Sequence, residues 1–364
     1  MQIEPKSWRV PLAAPATCPL SLEAFGGRIE FAMTPSPFAQ ADLFDDADED
    51  HGPSLRQAWA HQAPPKRRRL TRTFDPEGAA QILDEHDDYR VLRRLKPRPV
   101  DSAYRLAPGE SIALVVDVET TGLDHRRDEV IELGMVAFVH DAEGRIGPVV
   151  GMVSMLHEPT VEISAEITRL TGITAEMVAG QAIDMAAVRA LLEPAEIVIA
   201  HNAKFDRAFC ERLDESFRHK AWACSVAEVP WREIGFEGAK LGYLVNGCGW
   251  FHNGHRAVDD CHALLEVLAH EPGGGSGFVH LLRSSARTRV RVWAEWAPFD
   301  MKDVLKGRGY RWFGGGDGLP KAWWTEVDED DLAGEMRFLE KEVYLREVEL
   351  RRDVLTAYDR YRPA

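Results

Sequence analysis

The chain has 364 residues, 45% of them hydrophobic and 28% charged, and a formal net charge of −15, which indicates a soluble globular protein of about two domains and excludes a general polyanion-coating protein. It has no run of about 18 apolar residues and no basic, hydrophobic leader, so we expect neither a membrane span nor secretion. The five scattered cysteines form no CxxC pair, which excludes a zinc ribbon or a disulfide framework and fits a cytoplasmic location.

Residues 1–75 are predicted to be disordered. Prolines, an acidic run at 45–50 and a basic run at 66–69 interrupt this segment, and its apolar periodicity is weak. Such a sequence cannot bury enough apolar surface to offset the entropy of ordering it. Residues 76–107 are predicted to form a short helical linker.

A pentapeptide at 40–44 stands out within the predicted disordered tail. Leu43 and Phe44 are large apolar residues with no core to join, and Gln40 offers a polar tether beside the acidic Asp42. Exposed apolar anchors of this kind favour a partner protein with a hydrophobic pocket.

Residues 108–271 carry the pattern of a mixed α/β domain. The apolar run 112–116 is typical of a strand that is buried on both faces. Strands come first and then alternate with helices, which predicts a mixed sheet flanked by helices. The predicted strands are residues 112–116, 130–139, 149–156 and 197–200. The predicted helices are residues 164–170, 185–192, 204–213 and 259–269.

Residues 272–279 are rich in glycine and are predicted to be a flexible linker. A small α+β module is predicted after it, over residues 280–364. The predicted elements of this module are strands at 289–296 and 322–327, a short helix at 301–306 and a long charged helix at 332–361.

The C-terminal module holds half of the ten tryptophans of the chain. Residues 281–325 also carry nine Lys or Arg and four Asp or Glu, so basic and aromatic residues alternate there. Aromatic faces stack on unpaired bases and cations contact phosphates, which suits a frayed nucleic-acid strand. The alternative, favoured for most of the rings, is that the tryptophans form the core of the module.

Two acidic residues, Asp117 and Glu119, directly follow the predicted strand at 112–116. Residues two apart on a strand face the same way, and two anions so close repel each other unless a cation neutralises them. This is the local pattern of a site for a hard metal such as magnesium. Asp206 and Asp260, each near the start of a predicted helix, are candidates for further ligands.

His255 precedes Asp260 by about one helical turn, on a segment predicted to be less ordered. A histidine on such a loop titrates near neutrality and can deprotonate a water. Asn202 and Phe205 lie beside Asp206, and the Phe205 ring is interpreted as a packing or base-wedging group.

Together these residues form three motifs in a fixed order. The motifs are Asp117-Val118-Glu119-Thr120-Thr121-Gly122-Leu123, Asn202-x-x-Phe205-Asp206 and His255-x-Ala257-x-x-Asp260. They resemble the exonuclease motifs of the DEDDh superfamily, and most of all those of the proofreading (epsilon) subunits of bacterial DNA polymerase III. The segment 170–174 also resembles part of that family. Arg256 stands where the related DEDDy group has tyrosine, which favours the DEDDh group. The resemblance covers residues 110–270.

The resemblance implies a ribonuclease-H-like fold and two Mg²⁺ ions, replaceable by Mn²⁺, that stabilise the attacking and leaving oxygens of a phosphodiester. The implied metal ligands are Asp117, Glu119, Asp206 and Asp260. His255 is the implied general base. The residues implied to contact the terminal nucleotide are Thr120, Thr121, Leu123, Asn202 and Phe205. The implied reaction is 3′→5′ hydrolysis at DNA 3′ ends that releases nucleoside 5′-monophosphates, in proofreading or repair.

The pentapeptide also resembles the segment by which bacterial polymerases and repair proteins bind the sliding clamp. Its implied clamp contacts are Gln40, Asp42, Leu43 and Phe44. Such a tether raises the effective concentration of an exonuclease at primer ends. DNA polymerase III is a further candidate partner.

Two alternatives remain open at the level of the sequence. One is a 3′→5′ exoribonuclease of the same superfamily, because contacts to the 2′-hydroxyl cannot be identified from the sequence. The other is a non-catalytic adaptor that binds clamp and DNA. The presence of all four acidic residues and the histidine argues against the adaptor.

Overall fold

The structure is a computed structural model that describes residues 75–271, 275–316 and 318–362. In its first part the strands are β1 (Arg93–Arg94), β2 (Glu110–Thr120), β3 (Val130–Asp141), β4 (Ile146–Leu156), β5 (Ala195–Ala200), β6 (Ala221–Cys224) and β7 (Trp250–Phe251). The helices of this part are α1 (Pro76–Asp84), α2 (Ala165–Thr171), α3 (Ala175–Val178), α4 (Met185–Leu192), α5 (Ala203–Leu213), α6 (Ser225–Glu228), α7 (Leu241–Gly247) and α8 (Ala257–Ala269).

Five of these strands form a mixed sheet in the order β4-β3-β2-β5-β6. The strand β2 pairs antiparallel with β3 and parallel with β5, and β5 pairs parallel with β6. The predicted mixed α/β sheet flanked by helices is therefore confirmed. The short strands β1 and β7 pair separately from this sheet.

Both faces of β2 are covered, as its continuous apolar run predicts. Ala113 and Val115 belong to a core on one face, which includes residues of α7 and α8. Leu114 and Val116 belong to a core on the other face, which includes residues of α4 and α5. Because side chains alternate along a strand, the odd-numbered residues of β2 face α8.

The helix predicted at 164–170 shows how local residue types fix helix ends. The Ser164 hydroxyl accepts a hydrogen bond from the Ile167 N–H and caps α2 at its N-terminus. Gly172 ends the helix at a φ of 72°, a conformation that glycine adopts without strain. The predicted elements of residues 108–271 are all present. The structure adds β6, α6, α7 and β7 between 214 and 256, where the sequence predicted no element.

The remaining described residues form a second, antiparallel sheet of four strands in the order β11-β8-β10-β9. Its strands are β8 (Arg289–Glu295), β9 (Arg311–Phe313), β10 (Ala322–Asp328) and β11 (Arg352–Leu355). The helices of this part are α9 (Gly277–Ser285), α10 (Lys302–Gly307) and α11 (Leu332–Phe338), and a π-helical turn follows at Leu339–Val343. Val290, Val292 and Leu305 lie in its core.

The prediction of one long helix at 332–361 is wrong. The α-helix ends at Phe338, and after the π-helical turn the chain returns as β11, which pairs antiparallel with β8. Val343 and Leu350 are buried in the core of the second sheet, so their burial there outweighs the helix propensity of the charged residues between them. The sequence pattern alone did not show this competition, because β8 lies far away in the chain.

The predicted linker at 272–279 also needs correction. Residues 277–279 belong to α9, which Ser276 caps by accepting a hydrogen bond from the Val279 N–H. Phe278 is buried, and its ring lies 5.2 Å from the ring of Phe138 on β3. Burial of Phe278 thus fixes residues 277–279, the last part of the predicted linker. The other domain boundaries stay predictions.

The last described residues, 356–362, are called the C-terminal strap here. The Ala357 carbonyl accepts a hydrogen bond from the Trp222 N–H of β6 at 2.8 Å. The buried Arg207 guanidinium donates to the carbonyls of Tyr358 and Arg360. The strap therefore packs on the first sheet, and residues 75–364 form one compact unit.

Residues 1–74, including the predicted clamp contacts Gln40, Asp42, Leu43 and Phe44, lie outside the described residues. Among the helices that the structure describes, none combines the length and the apolar character needed to cross a membrane.

Candidate metal centre

Three carboxylates meet at the end of β2. Asp117 and Glu119 lie on the face of β2 that α8 covers, and Asp260 lies in the first turn of α8. Each of the three side chains has one carboxylate oxygen that lies within 4.8 Å of an oxygen of the other two. The structure thus brings together three of the four predicted metal ligands.

The fourth predicted ligand, Asp206, lies in the first turn of α5 and is 2% exposed. Its Oδ1 accepts a hydrogen bond from the Val118 N–H at 3.2 Å, so it contacts β2 between Asp117 and Glu119. It is outside the group of three that share the 4.8 Å spacing. One of its oxygens is therefore held by the backbone of β2.

The electrostatics of these groups favour a bound cation. Burial, and then repulsion from Asp206, raise the pKa of Asp117 well above its usual range. Burial, and then repulsion from Asp260, raise the pKa of Glu119 to about 8. Burial raises the pKa of Asp206 to about 8 despite its backbone hydrogen bonds. A divalent cation would relieve this repulsion, and carboxylate oxygens are the donors that Mg²⁺ and Mn²⁺ prefer. The residues present therefore fit such a metal.

Two histidines contact Asp260, and they do so in different ways. The His255 backbone N–H donates to Asp260 Oδ2 at 2.8 Å, while the His255 side chain is exposed and its φ is 64°. His252 Nε2 lies 2.7 Å from Asp260 Oδ1. The predicted general base, His255, therefore lies beside the site. Its contact with Asp260 is made by the backbone and does not fix the position of its ring. His252 was not predicted, and no feature of the motif indicated it.

A fifth carboxylate, Glu132, also lies at the site and was missed by the sequence interpretation. It stands opposite Glu119 on β3 and is 1% exposed. It accepts hydrogen bonds from the Arg256 guanidinium, the shortest at 2.9 Å, and from the Ala257 N–H at 3.2 Å. A charged residue inside the apolar run 130–139 was the available signal. Glu132 holds the start of α8 against the sheet.

Gly134 allows α8 to approach β3 closely. It pairs with Asp117 across the strands, and a Cβ at this position would lie 2.4 Å from the Ala257 carbonyl carbon. Such a distance is shorter than atomic contact allows, so only glycine fits here without movement of α8. The position of Asp260 relative to Asp117 therefore depends on a residue without a side chain.

A cleft of about 230 Å³ lies at the start of α5. Leu123, Asn202 and Phe205, three of the predicted nucleotide contacts, line this cleft. Leu123 is 85% exposed, and Asn202 has a φ of 87°, which is unusual for a residue other than glycine. Their contact with a nucleotide stays a prediction.

The other two predicted nucleotide contacts hold the turn after β2. The Thr120 hydroxyl donates to the Gly122 carbonyl at 2.6 Å, and Thr120 is 6% exposed. The Thr121 hydroxyl accepts from the Glu129 N–H at 3.0 Å. Their side chains shape the loop that carries Leu123, and contact with a nucleotide stays a prediction for both.

Comparisons with known proteins agree with this geometry. Residues 114–268 match the sequence model of the RNase T family, which is described as an exonuclease family. The epsilon subunit of DNA polymerase III from Aquifex aeolicus is 30% identical over 162 residues, which cover 43% of this chain and 77% of that subunit.

Two further proteins are similar over the same part of the chain. The PolC-type DNA polymerase III of Clostridium perfringens is 30% identical over 163 residues, 43% of this chain, and the matched part is 11% of the length of that polymerase. A solved structure of Exonuclease X in complex with 5′ overhanging duplex DNA has 23% sequence identity and a TM-score of 0.34, and the match covers 46% of this chain and 97% of that one.

Proposed function

The chain belongs to the exonuclease family, with an epsilon subunit of DNA polymerase III among its relatives, and we propose that it is a metal-dependent 3′→5′ exonuclease that acts on DNA ends in proofreading or repair. The single observation that carries the proposal is the convergence of Asp117, Glu119 and Asp260, with ligand oxygens within 4.8 Å of one another. Three anions so close, with raised pKa values on two of them, are unfavourable without a cation.

In this proposal Asp117, Glu119, Asp206 and Asp260 hold two divalent ions, Mg²⁺ or Mn²⁺. Bound there, such ions lower the barrier by stabilising negative charge on the attacking and leaving oxygens of the phosphodiester. Family members use divalent metal ions, and the all-carboxylate donor set of this chain suits them.

The residues of the chain supply binding and proton transfer. Leu123, Asn202 and Phe205 receive the terminal nucleotide in the cleft, which fixes its phosphodiester beside the carboxylates. The ring of His255 takes a proton from the attacking water. The water oxygen bonds to phosphorus, the bond from phosphorus to the 3′ oxygen breaks, and the shortened strand leaves with a 3′-hydroxyl while a nucleoside 5′-monophosphate is released.

Digestion of 5′-labelled oligonucleotides tests this proposal. Single-stranded DNA, a primer with a mispaired 3′ end and RNA are incubated with Mg²⁺ or with EDTA. We expect Mg²⁺-dependent shortening of both DNA substrates from the 3′ end, and loss of it in Asp117→Asn. Asp300→Asn, an exposed aspartate outside the site, is the matched control and should digest like the parent.

Other results of this assay would change the assignment. Faster digestion of RNA than of DNA would favour the exoribonuclease alternative. Unchanged digestion by Asp117→Asn would remove the proposed site, and no digestion by the parent with Mg²⁺ would favour a non-catalytic adaptor.

We also propose that Gln40, Asp42, Leu43 and Phe44 tether the enzyme to the sliding clamp in the cytoplasm, and that DNA polymerase III is a second partner. Retention of the full chain on immobilised clamp tests the tether. The double variant Leu43→Ala with Phe44→Ala should be lost from the clamp while its digestion of free single-stranded DNA is unchanged. Equal retention of the double variant and the parent would contradict the tether.

A further inference from the structure

The tryptophans of the C-terminal module separate into two groups in the structure. Trp293 is 6% exposed, and Trp323 packs against the core of the second sheet. Trp296 and Trp312 are 82% and 55% exposed, so the core does not account for them. Two exposed indoles at one end of the same sheet are a stronger indication of a ligand or partner than a single exposed ring, which is common on protein surfaces.

Trp296 is also held in an unusual backbone conformation. Its φ is 59°, in the left-handed region that a bulky residue rarely adopts. The residue directly follows Glu295, the last residue of β8, so the unusual conformation occurs where the strand ends. Strain of this kind at an exposed aromatic residue indicates a functional constraint.

The exposed rings and two exposed cations lie at one end of the second sheet. One row of cross-strand pairs runs through Glu295 of β8, Ala322 of β10 and Phe313 of β9. Trp296 and Lys321 are the chain neighbours of this row, and both lie at the same end of the sheet. Trp312 is one residue from the row on the edge strand β9.

Arg311, beside Trp312, and Lys321 are both exposed. Within the described part of the chain neither has an ion-pair partner, whereas Arg289, Arg291 and Arg308 each pair with a carboxylate. The Arg311 guanidinium lies 5.4 Å from the centre of the Trp324 ring, on the face of the edge strand β9 opposite Trp312, because side chains alternate along a strand. No described carboxylate neutralises the charge of Arg311 or Lys321, so both can contact an anionic ligand at this edge. Residues 281–325 carry nine basic and four acidic residues, although the chain as a whole is acidic.

We propose that Trp296, Arg311, Trp312 and Lys321 form a binding surface for single-stranded nucleic acid, called the aromatic edge here. Bases stack on the two exposed indoles, and Arg311 and Lys321 contact the phosphates between them. The strands β8 and β9 are two strand spacings apart, about 10 Å. At about 3.4 Å per stacked nucleotide this span accommodates about three nucleotides.

The charge of the edge favours nucleic acid over a protein partner. A hydrophobic protein interface needs a continuous apolar area with few charges at its centre, whereas here the two exposed rings belong to a stretch, residues 281–325, in which nine basic residues outnumber four acidic ones. The surface goes beyond the proposed active site, because none of its residues lies in the carboxylate cluster or lines the cleft. Its function would be to hold the strand while the 3′ end is shortened.

Fluorescence anisotropy of a labelled oligothymidylate tests the proposal, using the full chain in EDTA so that nothing is digested. We expect the double variant Trp296→Ala with Trp312→Ala to bind at least about tenfold more weakly than the parent. Trp296→Phe with Trp312→Phe should keep most of the affinity, because phenylalanine still stacks. Tyr358→Ala, which removes a ring that is 52% exposed outside the edge, is the matched control and should bind like the parent.

Four further measurements make the outcome specific. Arg311→Gln and Lys321→Gln should each reduce the slope of log affinity against log salt by about 0.7. Oligouridylate shows whether RNA binds the same surface. Hydrolysis of the small substrate thymidine 5′-p-nitrophenyl phosphate, which is too short to reach the edge, should be unchanged in the double alanine variant, and Asp117→Asn should still bind oligothymidylate.

The results separate this proposal from the catalytic one. Equal affinity of the parent and a folded double alanine variant would overturn the aromatic edge and leave a protein partner as the explanation of the exposed rings. A parent that binds through the edge but does not hydrolyse the small substrate would overturn the exonuclease proposal alone.

Discussion

At the scale of single residues, the site is defined by carboxylates whose charges the protein does not itself neutralise. Arg256 is the nearby cation, but its guanidinium is already paired with Glu132. Burial is the main cause of the raised pKa values of Asp117, Glu119 and Asp206, and repulsion from neighbouring carboxylates adds to it. A site of this kind binds protons or metal ions, and the two compete for the same oxygens.

The raised pKa values predict how pH and metal act together on stability. Without metal, the folded protein holds protons on Glu119 and Asp206 up to about pH 8, whereas the unfolded chain releases them near pH 4. The contribution of these groups to stability is therefore present at low pH and is lost as pH rises through that window. We expect Mg²⁺ to raise the thermal midpoint more at about pH 8 than at about pH 5.

Thermal unfolding by circular dichroism at both pH values, with and without Mg²⁺, checks this expectation. Glu119→Gln with Asp206→Asn should weaken the dependence of the midpoint on Mg²⁺ at the higher pH. A midpoint that shifts equally at both pH values in the parent would contradict the electrostatic explanation.

The two histidines at Asp260 are expected to differ in effect. His252 contacts Asp260 through its ring, so His252→Ala should weaken Mn²⁺ binding about tenfold, as loss of a group that orients a ligand does. His255 contacts Asp260 through its backbone, so His255→Ala should lower the digestion rate and leave Mn²⁺ binding intact. Calorimetric titration with Mn²⁺ and digestion kinetics measure the two effects. Weaker Mn²⁺ binding in His255→Ala, with His252→Ala unchanged, would reverse the roles.

At the scale of elements, the packing of α8 on β3 decides whether the carboxylates converge. Gly134 permits the close approach, and Glu132 accepts from the Ala257 N–H at the start of the helix. The apolar residues of α8, among them Leu264 and Leu265, fill the core on the same face of the sheet. The site is thus a consequence of how one helix lies on one sheet.

Gly134→Ala tests this dependence. The added methyl group would overlap the backbone of α8, so we expect a loss of about 1–3 kcal/mol in unfolding free energy and a clear loss of digestion. Gly242→Ala in α7 is the matched control, since a Cβ there meets nothing within 4 Å, and it should stabilise the protein slightly. Urea unfolding and digestion assays measure both variants. An active, equally stable Gly134→Ala would show that α8 can shift without cost.

At the scale of the whole molecule, the C-terminal strap joins the second sheet to the first. The Arg360 side chain is 2% exposed and pairs with the buried Glu228 at 3.1 Å, and Tyr361 Oη donates to the same carboxylate at 2.7 Å. The Arg207 guanidinium donates hydrogen bonds to the strap carbonyls of Tyr358 and Arg360, and Arg207 directly follows Asp206 in α5. The strap therefore supports the helix that carries a predicted metal ligand.

Arg360→Ala should destabilise the protein by about 3–5 kcal/mol, because it leaves the Glu228 carboxylate buried and unpaired. Arg362→Ala is the matched control. Its side chain is 49% exposed and lies 3.9 Å from Asp359, so its loss should change stability by less than about 0.5 kcal/mol. Chemical unfolding compares the two variants, and similar stability of both would show that the strap contributes little.

The sequence by itself determined the strand and helices that carry the candidate site, and it predicted the chemistry of that site. The apolar run that ends in Asp117 and Glu119 identified a central strand with candidate metal ligands at its end, because alternation along a strand is a local property. The spacing of Asp206, His255 and Asp260 identified the family, since each motif lies within a few consecutive residues.

Only the tertiary structure decided which distant residues support those motifs. Glu132 contacts Arg256 from 124 positions away, and Arg207 contacts Arg360 from 153 positions away, and no local pattern encodes such pairs. The wrongly predicted long helix at 332–361 has the same origin, because pairing with β8 and burial of Leu350 outweighed local propensity. The physical reason is that propensity acts between neighbours in the chain, whereas burial and ion pairing act between neighbours in space.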